Sequence, residues 1–363
     1  MKPYVLFILL LCSFSDSVSQ HLKAGFDSNE YRDMLGLFMQ QVDTAKSDLI
    51  PIPTQYKRLY RSPEYELKNL WELWQRTDGV AVICIRGTVQ ATPSWLENFY
   101  AAMVPATGEL DLGSGRTFRY QLAQDSKATV HVGWTLGLAD LAPTIVEKVR
   151  ELYGKGTREF LIMGHSQGGA LAYLTRSYLA DLVRRQELPG DLVFKTYCSA
   201  APKPGNLYYA YDYEFLTRDG WSHTVLNAAD WVPETPFSIQ TLRDFNPVNP
   251  FKDVKPALKK QPFLIRIFAR RIYNRMDRAT RTAEKRFRKT LGKMVYSQVK
   301  KYKPNLPQPT YAAVNNYMRA GSPIILQPND AYRKRFPEDG KNVFVHHLLT
   351  PYYFLVDTYY PKK

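Results

Sequence analysis

Residues 160–170 read Phe-Leu-Ile-Met-Gly-His-Ser-Gln-Gly-Gly-Ala, and this stretch decides the fold. Its first four residues are apolar, as in a strand that is buried on both faces of a sheet. Glycines stand two positions before and after Ser166, and residues 170–183 continue with helical spacing. The pattern predicts a tight turn between a strand and a helix, with the Ser166 side chain raised above the sheet edge. The N-terminus of the helix would then place backbone N–H groups beside any negative charge that develops there.

The segments on both sides extend this pattern into an alternation of strands and helices. Val80-Ala-Val-Ile-Cys-Ile85, residues 192–198 and residues 223–227 are further apolar runs of strand length. Residues 139–153 have helical spacing that ends at a pair of glycines. Strands that alternate with helices of this length form a parallel sheet with crossover helices. We therefore predict an α/β fold, with a mostly parallel sheet and helices on both faces.

The first 19 residues have the pattern of a cleavable signal peptide. Lys2 precedes an apolar run at 4–11, and small residues follow up to Ser19. The run is too short to span a bilayer. We expect cleavage after Ser19, a mature domain over 20–363, and a protein that is secreted or located in the cell envelope. Cys12 is a weaker candidate for a lipid-anchored N-terminus, because Leu11 precedes it where a small residue is expected.

Cleavage would leave two cysteines, Cys84 and Cys198, both inside apolar runs. This placement predicts two buried free thiols rather than a disulfide. The sequence has no Cys/His cluster with the spacing of a zinc site, and we expect neither a metal nor an organic cofactor.

A nucleophilic serine needs a histidine base and a carboxylate that orients the histidine. In this architecture the acid and then the histidine follow the serine along the chain. The histidines after Ser166 are His223, His346 and His347. His223 begins a strand and precedes every good acid candidate, so we interpret it as a packing or surface residue. Asp230 is the best-placed acid, because it follows the strand at 223–227, and the base is then His346 or His347.

Five blocks in this order resemble the class 3 lipases, a fungal-type family with an α/β-hydrolase fold. The blocks are Ile85-Arg-Gly-Thr88 followed by Trp95, Val130-His-Val-Gly-Trp134, Gly164-His-Ser-Gln-Gly-Gly169, Ala200-Ala-Pro-Lys-Pro-Gly-Asn206, and 227–233 followed by Pro236. The resemblance covers about 65–237 and the last twenty residues. It implies a serine hydrolase that cleaves carboxylic esters, in the first place a lipase acting on acylglycerols. The alternatives are a phospholipase or short-chain esterase on the same scaffold, or a membrane- or partner-binding protein whose catalysis has lapsed.

The resemblance also implies a role for each matching position. Ser166 would be the nucleophile, Asp230 the orienting acid, and His347, which a leucine follows, is favoured over His346 as the base. The oxyanion hole would consist of the N–H of Gln167 and the N–H of Thr88, with or without the Thr88 hydroxyl. His131 and His165 belong to the family's blocks, and we interpret both as scaffold residues. The family's lid sequence is not recognisable, although residues 91–104 occupy its place, and we interpret residues 89–111 as a mobile apolar flap.

The basic charge of the chain is concentrated in one segment. The chain has 49 Lys and Arg against 34 Asp and Glu, a net charge of +15. Residues 251–303 contain 18 Lys and Arg and three acidic residues, which accounts for the whole excess. This segment lies in an insert at about 240–310, with a basic helical pattern over 262–302. It suits either an anionic membrane surface or a helical cap with a solvated basic side. Without a recognition motif we do not expect it to bind nucleic acid.

Overall fold

A mixed sheet lies at the centre of the computed structural model, which describes residues 20–41, 49–250, 258–259 and 262–362. The strands in chain order are β1 (Tyr56–Arg61), β2 (Trp71–Arg76), β3 (Ala81–Ile85), β4 (Met103–Pro105), β5 (Thr107–Gly113), β6 (Arg116–Gln121), β7 (Thr129–His131), β8 (Glu159–His165), β9 (Val193–Ser199), β10 (Gly205–Asn206), β11 (Ser222–Asn227), β12 (Tyr317–Met318) and β13 (Ser322–Leu326). The central sheet has the order β1-β2-β3-β8-β9-β11-β13. In this sheet β1, β2 and β3 pair antiparallel. The strands β3, β8, β9, β11 and β13 are parallel to one another. The mostly parallel sheet that the sequence predicts is therefore confirmed.

Helices cover both faces of this sheet. They are α1 (Ser28–Gln40), α2 (Thr92–Phe99), α3 (Val132–Gly154), α4 (Gln167–Arg184), α5 (Leu207–Leu216), α6 (Phe263–Phe287), α7 (Val295–Val299), α8 (Asp330–Arg335) and α9 (Leu349–Tyr359). Successive strand residues point to opposite faces, so Ile83 and Ile162 join one apolar core with α3 and α4. Their neighbours Cys84 and Met163 join a second core with α1 and α9. This layered arrangement is the α/β-hydrolase fold.

The apolar runs at 80–85, 160–163, 192–198 and 223–227 correspond to β3, β8, β9 and β11. The helical patterns at 139–153 and 170–183 correspond to α3 and α4, and both helices begin earlier than the patterns do. For α3 the reason is a cap, because the His131 side chain accepts a hydrogen bond from the N–H of Trp134.

Residues 89–111, interpreted above as an apolar flap, contain α2, β4 and the start of β5. β4 belongs to a smaller sheet of order β12-β10-β7-β4, and β5 pairs with β6. α2 packs against α3, and the Glu97 side chain on α2 is completely buried. The segment is thus built into the fold over much of its length.

The basic pattern at 262–302 corresponds to α6, a wide π-helical stretch at Arg288–Met294, and α7. Most side chains of α6 are exposed or half-buried. In contrast, α7 packs against α2. Beyond α7, Lys303 forms a buried ion pair with Asp140 on α3, with Nζ 2.8 Å from Oδ2. The insert is therefore anchored to the core at its C-terminal end.

Two predictions concern the cysteines and the N-terminus. Cys84 and Cys198 are buried free thiols, as predicted, and burial raises the pKa of both. The signal peptide predicted at 1–19 lies outside the described residues. No helix in the described ranges combines the length and apolar character that crossing a membrane requires.

Candidate active site

Ser166 occupies the turn between β8 and α4. Its backbone has φ 61° and ψ −130°. Residues other than glycine rarely adopt this backbone conformation, which costs of order 1–3 kcal/mol. The turn is possible because the residues two positions before and after Ser166 are glycines. A Cβ at Gly168 would lie 2.2 Å from the carbonyl oxygen of Ile85, and one at Gly164 would lie 2.0 Å from the carbonyl oxygen of Gly168. The pattern quoted first therefore forms the sharp turn that it predicts.

The segment after β3 runs beside this turn. A Cβ at Gly87 would lie 3.5 Å from the Ser166 Cβ, so the chain leading to Thr88 passes next to the serine. The Thr88 hydroxyl donates to the side-chain Oε1 of Gln167 at 2.8 Å. Among the described residues, neither the N–H of Thr88 nor that of Gln167 has a hydrogen-bond acceptor. Both are free to bind a developing oxyanion, as such donors do in acyl transfer.

Asp230 and His347 meet although 117 positions separate them. The His347 Nδ1 lies 2.7 Å from Asp230 Oδ2. The same oxygen accepts a hydrogen bond from the Tyr352 hydroxyl at 2.7 Å, and Oδ1 accepts one from the N–H of Val232 at 3.0 Å. Burial acts to raise the pKa of Asp230, but these contacts outweigh it and hold the pKa below its usual value. The carboxylate is therefore ionised and its histidine partner is fixed in orientation.

The main chain of His347 is tied to the turn that carries Ser166. The His165 Nε2 lies 2.7 Å from the carbonyl oxygen of His347, and its Nδ1 lies 2.9 Å from Ser199 Oγ. A carbonyl only accepts, so Nε2 donates, and Nδ1 accepts from the serine hydroxyl. Burial lowers the pKa of His165 to about 3, which fits a neutral ring.

The rings of His165 and His347 lie 5.0 Å apart between centroids. Because Ser166 directly follows His165, the candidate base and nucleophile lie in one neighbourhood. The hydrogen bonds of the described residues do not include one between Ser166 Oγ and His347 Nε2. Such bonds commonly shorten only when substrate binds.

The structure separates the two adjacent histidines. His346 Nδ1 lies 2.8 Å from the Tyr332 hydroxyl, and its carbonyl accepts from Asn227 at 3.0 Å. Among the hydrogen bonds of the described residues, none joins the His346 ring to Asp230, whereas the His347 ring has one. His223 is buried, packs edge-on against the ring of Phe26, and takes no part in the site.

Sequence reasoning missed several supporting residues. Tyr352 is one of them, although it stands in the last twenty residues, which the family resemblance covers, and a hydroxyl inside an apolar helix was the available signal. Ser199 was missed because it contacts His165 only through the pairing of β8 with β9. Asn98 was also missed, and it donates to Thr88 Oγ1 at 2.8 Å.

Aromatic side chains surround the approach to His347. The Phe344 ring lies 6.0 Å from His347, 5.9 Å from Trp95 and 5.3 Å from Trp231. Phe99 stacks on Trp95 at 6.2 Å and remains 56% exposed. We call Trp95, Phe99, Trp231 and Phe344 the aromatic rim. In the described ranges, no group of three or more His, Cys, Asp or Glu side chains could hold a metal ion.

The α/β-hydrolase fold and the serine turn define the class of protein, and comparison with known proteins shows which family it resembles. The model of the family "Lipase (class 3)" matches residues 82–240. This match covers less than half of the chain, and over residues 82–240 the chain is similar to the class 3 lipases.

Solved structures of fungal lipases are similar at low identity. A triacylglycerol lipase from Penicillium expansum is 17% identical, with 58% of this chain and 74% of that chain covered and a TM-score of 0.40. Lipase II from Rhizopus niveus is 20% identical, with 58% and 74% covered and a TM-score of 0.41. The Rhizomucor miehei triacylglyceride lipase is 18% identical, with 59% and 77% covered and a TM-score of 0.40. No curated protein matches the chain.

Proposed function

We propose that the chain hydrolyses acylglycerol esters through Ser166, His347 and Asp230. The observation that carries this proposal is the 2.7 Å hydrogen bond between His347 Nδ1 and the buried Asp230, next to a serine on a strained turn. A carboxylate at Nδ1 fixes the tautomer of the ring, so Nε2 is left as the base.

The mechanism follows from these groups. His347 removes the proton from Ser166 Oγ, which attacks the ester carbonyl, and the N–H groups of Thr88 and Gln167 bind the oxyanion. The imidazolium then protonates the leaving alcohol as the C–O bond breaks, which leaves an acyl-enzyme. A water molecule activated by His347 attacks the acyl group, and the carboxylic acid leaves as Ser166 recovers its proton. No step needs a metal or an organic cofactor.

The aromatic rim supports a lipid substrate. Trp231 is 42% exposed and Phe99 is 56% exposed, so the rings lie at the surface beside the candidate base. Exposed apolar side chains grouped at one place mark a surface that receives an apolar ligand. Acyl chains of a glyceride fit this rim better than a small polar ester does.

Labelling with a fluorophosphonate probe and hydrolysis of emulsified triglyceride test the catalytic proposal. We expect the wild type to label and hydrolyse, and Ser166→Ala to lose both, with a rate loss of roughly 10⁶-fold. His347→Ala should lose a comparable factor, whereas His346→Ala, its matched control, should retain activity. A folded wild type that neither labels nor hydrolyses esters would contradict the proposal and support a lapsed hydrolase. A series of esters with different chain lengths and phospholipids then separates a lipase from an esterase or a phospholipase.

We also propose that α6 binds an anionic membrane surface. Ile265, Phe268, Ile272 and Met276 follow one another at three- and four-residue intervals along one side of α6. Their exposed fractions are 53%, 67%, 44% and 54%. Exposed arginines flank this stripe, including Arg271 and Arg275. An exposed apolar stripe with basic flanks is the pattern of a helix that lies in the headgroup region of a membrane.

Flotation with vesicles tests this surface. We expect binding to phosphatidylserine-containing vesicles that weakens with salt, and a clear loss in Phe268→Ser. Phe215→Ser is the matched control, because Phe215 is 70% exposed on α5, away from the stripe. Equal binding to neutral vesicles, or equal binding by the two variants, would favour the alternative of a solvated cap.

We propose that the mature protein starts at Gln20 and acts outside the cytoplasm, in the medium or the cell envelope. The support is the pattern of residues 1–19 in the sequence. The intact mass of the protein recovered from culture medium and from envelope fractions tests this. Recovery of only the full-length chain in the cytoplasm would contradict it.

A further inference from the structure

Tyr31, on α1, is a buried tyrosine to which the mechanism proposed above gives no role. Its side chain is 0% exposed, and its hydroxyl lies 2.6 Å from Oγ of Ser199, the last residue of β9. Burial raises the pKa of this hydroxyl well above its usual value, so it keeps its proton. A buried hydroxyl needs a hydrogen-bond partner, and the partner that the structure provides is Ser199.

The donors and acceptors fix the direction of the bonds around Ser199. Nε2 of His165 donates to the carbonyl oxygen of His347, so the neutral ring presents Nδ1 as an acceptor. The Ser199 hydroxyl therefore donates to this Nδ1 at 2.9 Å, and its oxygen accepts the proton of Tyr31. The bonds run in one direction, from Tyr31 through Ser199 and His165 to the main chain of His347. We call these linked side chains the Tyr31 network.

Ser199 also holds the turn that carries the candidate nucleophile. Its carbonyl oxygen accepts a hydrogen bond from the N–H of Ser166 at 2.9 Å. The pairing of β8 with β9 places His165 directly opposite Ser199. One residue therefore contacts the nucleophile through its main chain and, by way of His165, the base through its side chain.

The Tyr31 network is enclosed by the protein. The His165 ring packs against Phe38 of α1 with centroids 5.6 Å apart, and edge-on against Tyr352 at 5.3 Å. His165 and Ser199 are both buried. Because solvent does not reach these side chains, removing one hydroxyl leaves a polar atom of its neighbour without a partner.

We infer that Tyr31 is a positioning residue for the base His347. A carboxylate orients the ring of His347, and the Tyr31 network fixes the main chain of the same residue against the turn that carries Ser166. The separation between base and nucleophile is therefore set in part by α1, a helix that carries none of the triad residues. This inference rests on the function proposed above and adds a residue that acts at a distance from the reacting atoms.

A double-mutant cycle between Tyr31 and Ser199 tests this role. Tyr31→Phe and Ser199→Ala each remove one hydroxyl and little volume. We expect each to lower kcat for a soluble ester about 10-fold, with KM changed less than about threefold, because a displaced base loses its alignment with the nucleophile. Since Tyr31 acts through Ser199, the double variant should lose no more kcat than Ser199→Ala alone.

Tyr197→Phe is the matched control. Tyr197 is also buried, and its ring lies 5.8 Å from that of Tyr31, but its hydroxyl donates to Glu30 and not to the Tyr31 network. It should keep full kcat even if its melting temperature falls.

The tautomer of His165 gives a spectroscopic test that needs no variant. Burial lowers the pKa of His165 to about 3. In nitrogen NMR of the histidine-labelled protein we therefore expect a neutral ring with its proton on Nε2 from about pH 5 to 8. A charged ring, or a proton on Nδ1, would reverse the bond to Ser199 and overturn the inference.

The outcomes separate this role from the proposed function. If Ser166-dependent hydrolysis is present and Tyr31→Phe leaves kcat unchanged, the positioning role alone is overturned. It is also overturned if the two single losses multiply in the double variant, or if Tyr197→Phe lowers kcat equally. If Ser199→Ala does not fold, Tyr31→Phe and the His165 spectrum decide. Wild type without Ser166-dependent hydrolysis overturns the proposed function and this role with it.

Discussion

Glu97 is a carboxyl group enclosed by the protein, and this makes the stability of the fold depend on pH in a defined direction. Its side chain is 0% exposed, Oε2 accepts from Asn69 at 2.7 Å, and Oε1 has no hydrogen-bond partner in the described chain. Burial raises the pKa of Glu97 from the usual 4.5 to about 8, with Asp140 adding to the rise and Lys303 opposing it. The folded protein therefore keeps this carboxyl protonated at neutral pH.

The sign of the effect follows from linkage. Between pH 4.5 and about 8 the unfolded chain has lost this proton and the folded chain still holds it, so stability falls as the pH rises. Each pH unit in this interval corresponds to about 1.4 kcal/mol, so the full penalty is on the order of 5 kcal/mol. Glu97→Gln is neutral at every pH and keeps an oxygen for Asn69. We expect the unfolding free energies of variant and wild type to be similar near pH 4.5 and to diverge up to pH 8, with the variant more stable.

Urea unfolding of the mature chain, followed by tryptophan fluorescence at several pH values, measures this difference. The variant serves as the reference, because all other titrating groups are common to both proteins. Parallel stability curves between pH 5 and 8 would refute the reasoning and would mean that Glu97 is ionised in the folded state.

Three further predictions concern packing and hydrogen bonding at and around the site. Tyr352→Phe removes a 2.7 Å hydrogen bond to the buried Asp230 carboxylate, so the free energy of unfolding in urea should fall by about 1.5–3 kcal/mol. Tyr353→Phe, at the buried neighbouring position, should lower it less, and an equal loss in both variants would contradict this prediction. Gly168→Ala places a Cβ 2.2 Å from the Ile85 carbonyl oxygen and should lower stability by about 3 kcal/mol, while Gly190→Ala, with open space around it, should change it little in the same measurement. Cys84 and Cys198 are buried and their pKa values are raised, so Ellman's reagent should titrate both thiols in urea and neither in the folded protein; rapid reaction of native protein would argue against their burial.

The central layers of the fold could be predicted because the local pattern and the tertiary environment agree there. Val82 and Leu161 are apolar on strands that are buried on both faces, and such strands appear as continuous apolar runs. The edge strands could not be found in this way. β1 reads Tyr-Lys-Arg-Leu-Tyr-Arg and is mostly exposed, and β13 contains Pro323.

The residues of the candidate site could be predicted from the sequence to different extents. Ser166 has a local motif, and the order of acid and histidine along the chain leads to Asp230 and to the histidine pair. The choice between His346 and His347 depends on which ring faces Asp230, and that follows from how the chain enters α9. The link between Asn98 and Thr88 has no sequence pattern, since it needs α2 and α3 to be in backbone contact.

The pairing of Asp230 with His347 also fixes when, during translation, the chain can acquire the proposed chemistry. A nascent chain that the ribosome has extended only to residue 340 contains the serine turn and the acid, but it contains no base for the serine. Ester cleavage becomes possible only after residue 347 has been added and α9 has docked with Tyr352 against the carboxylate. Under the proposed function, the growing polypeptide thus lacks its catalytic base for most of its synthesis.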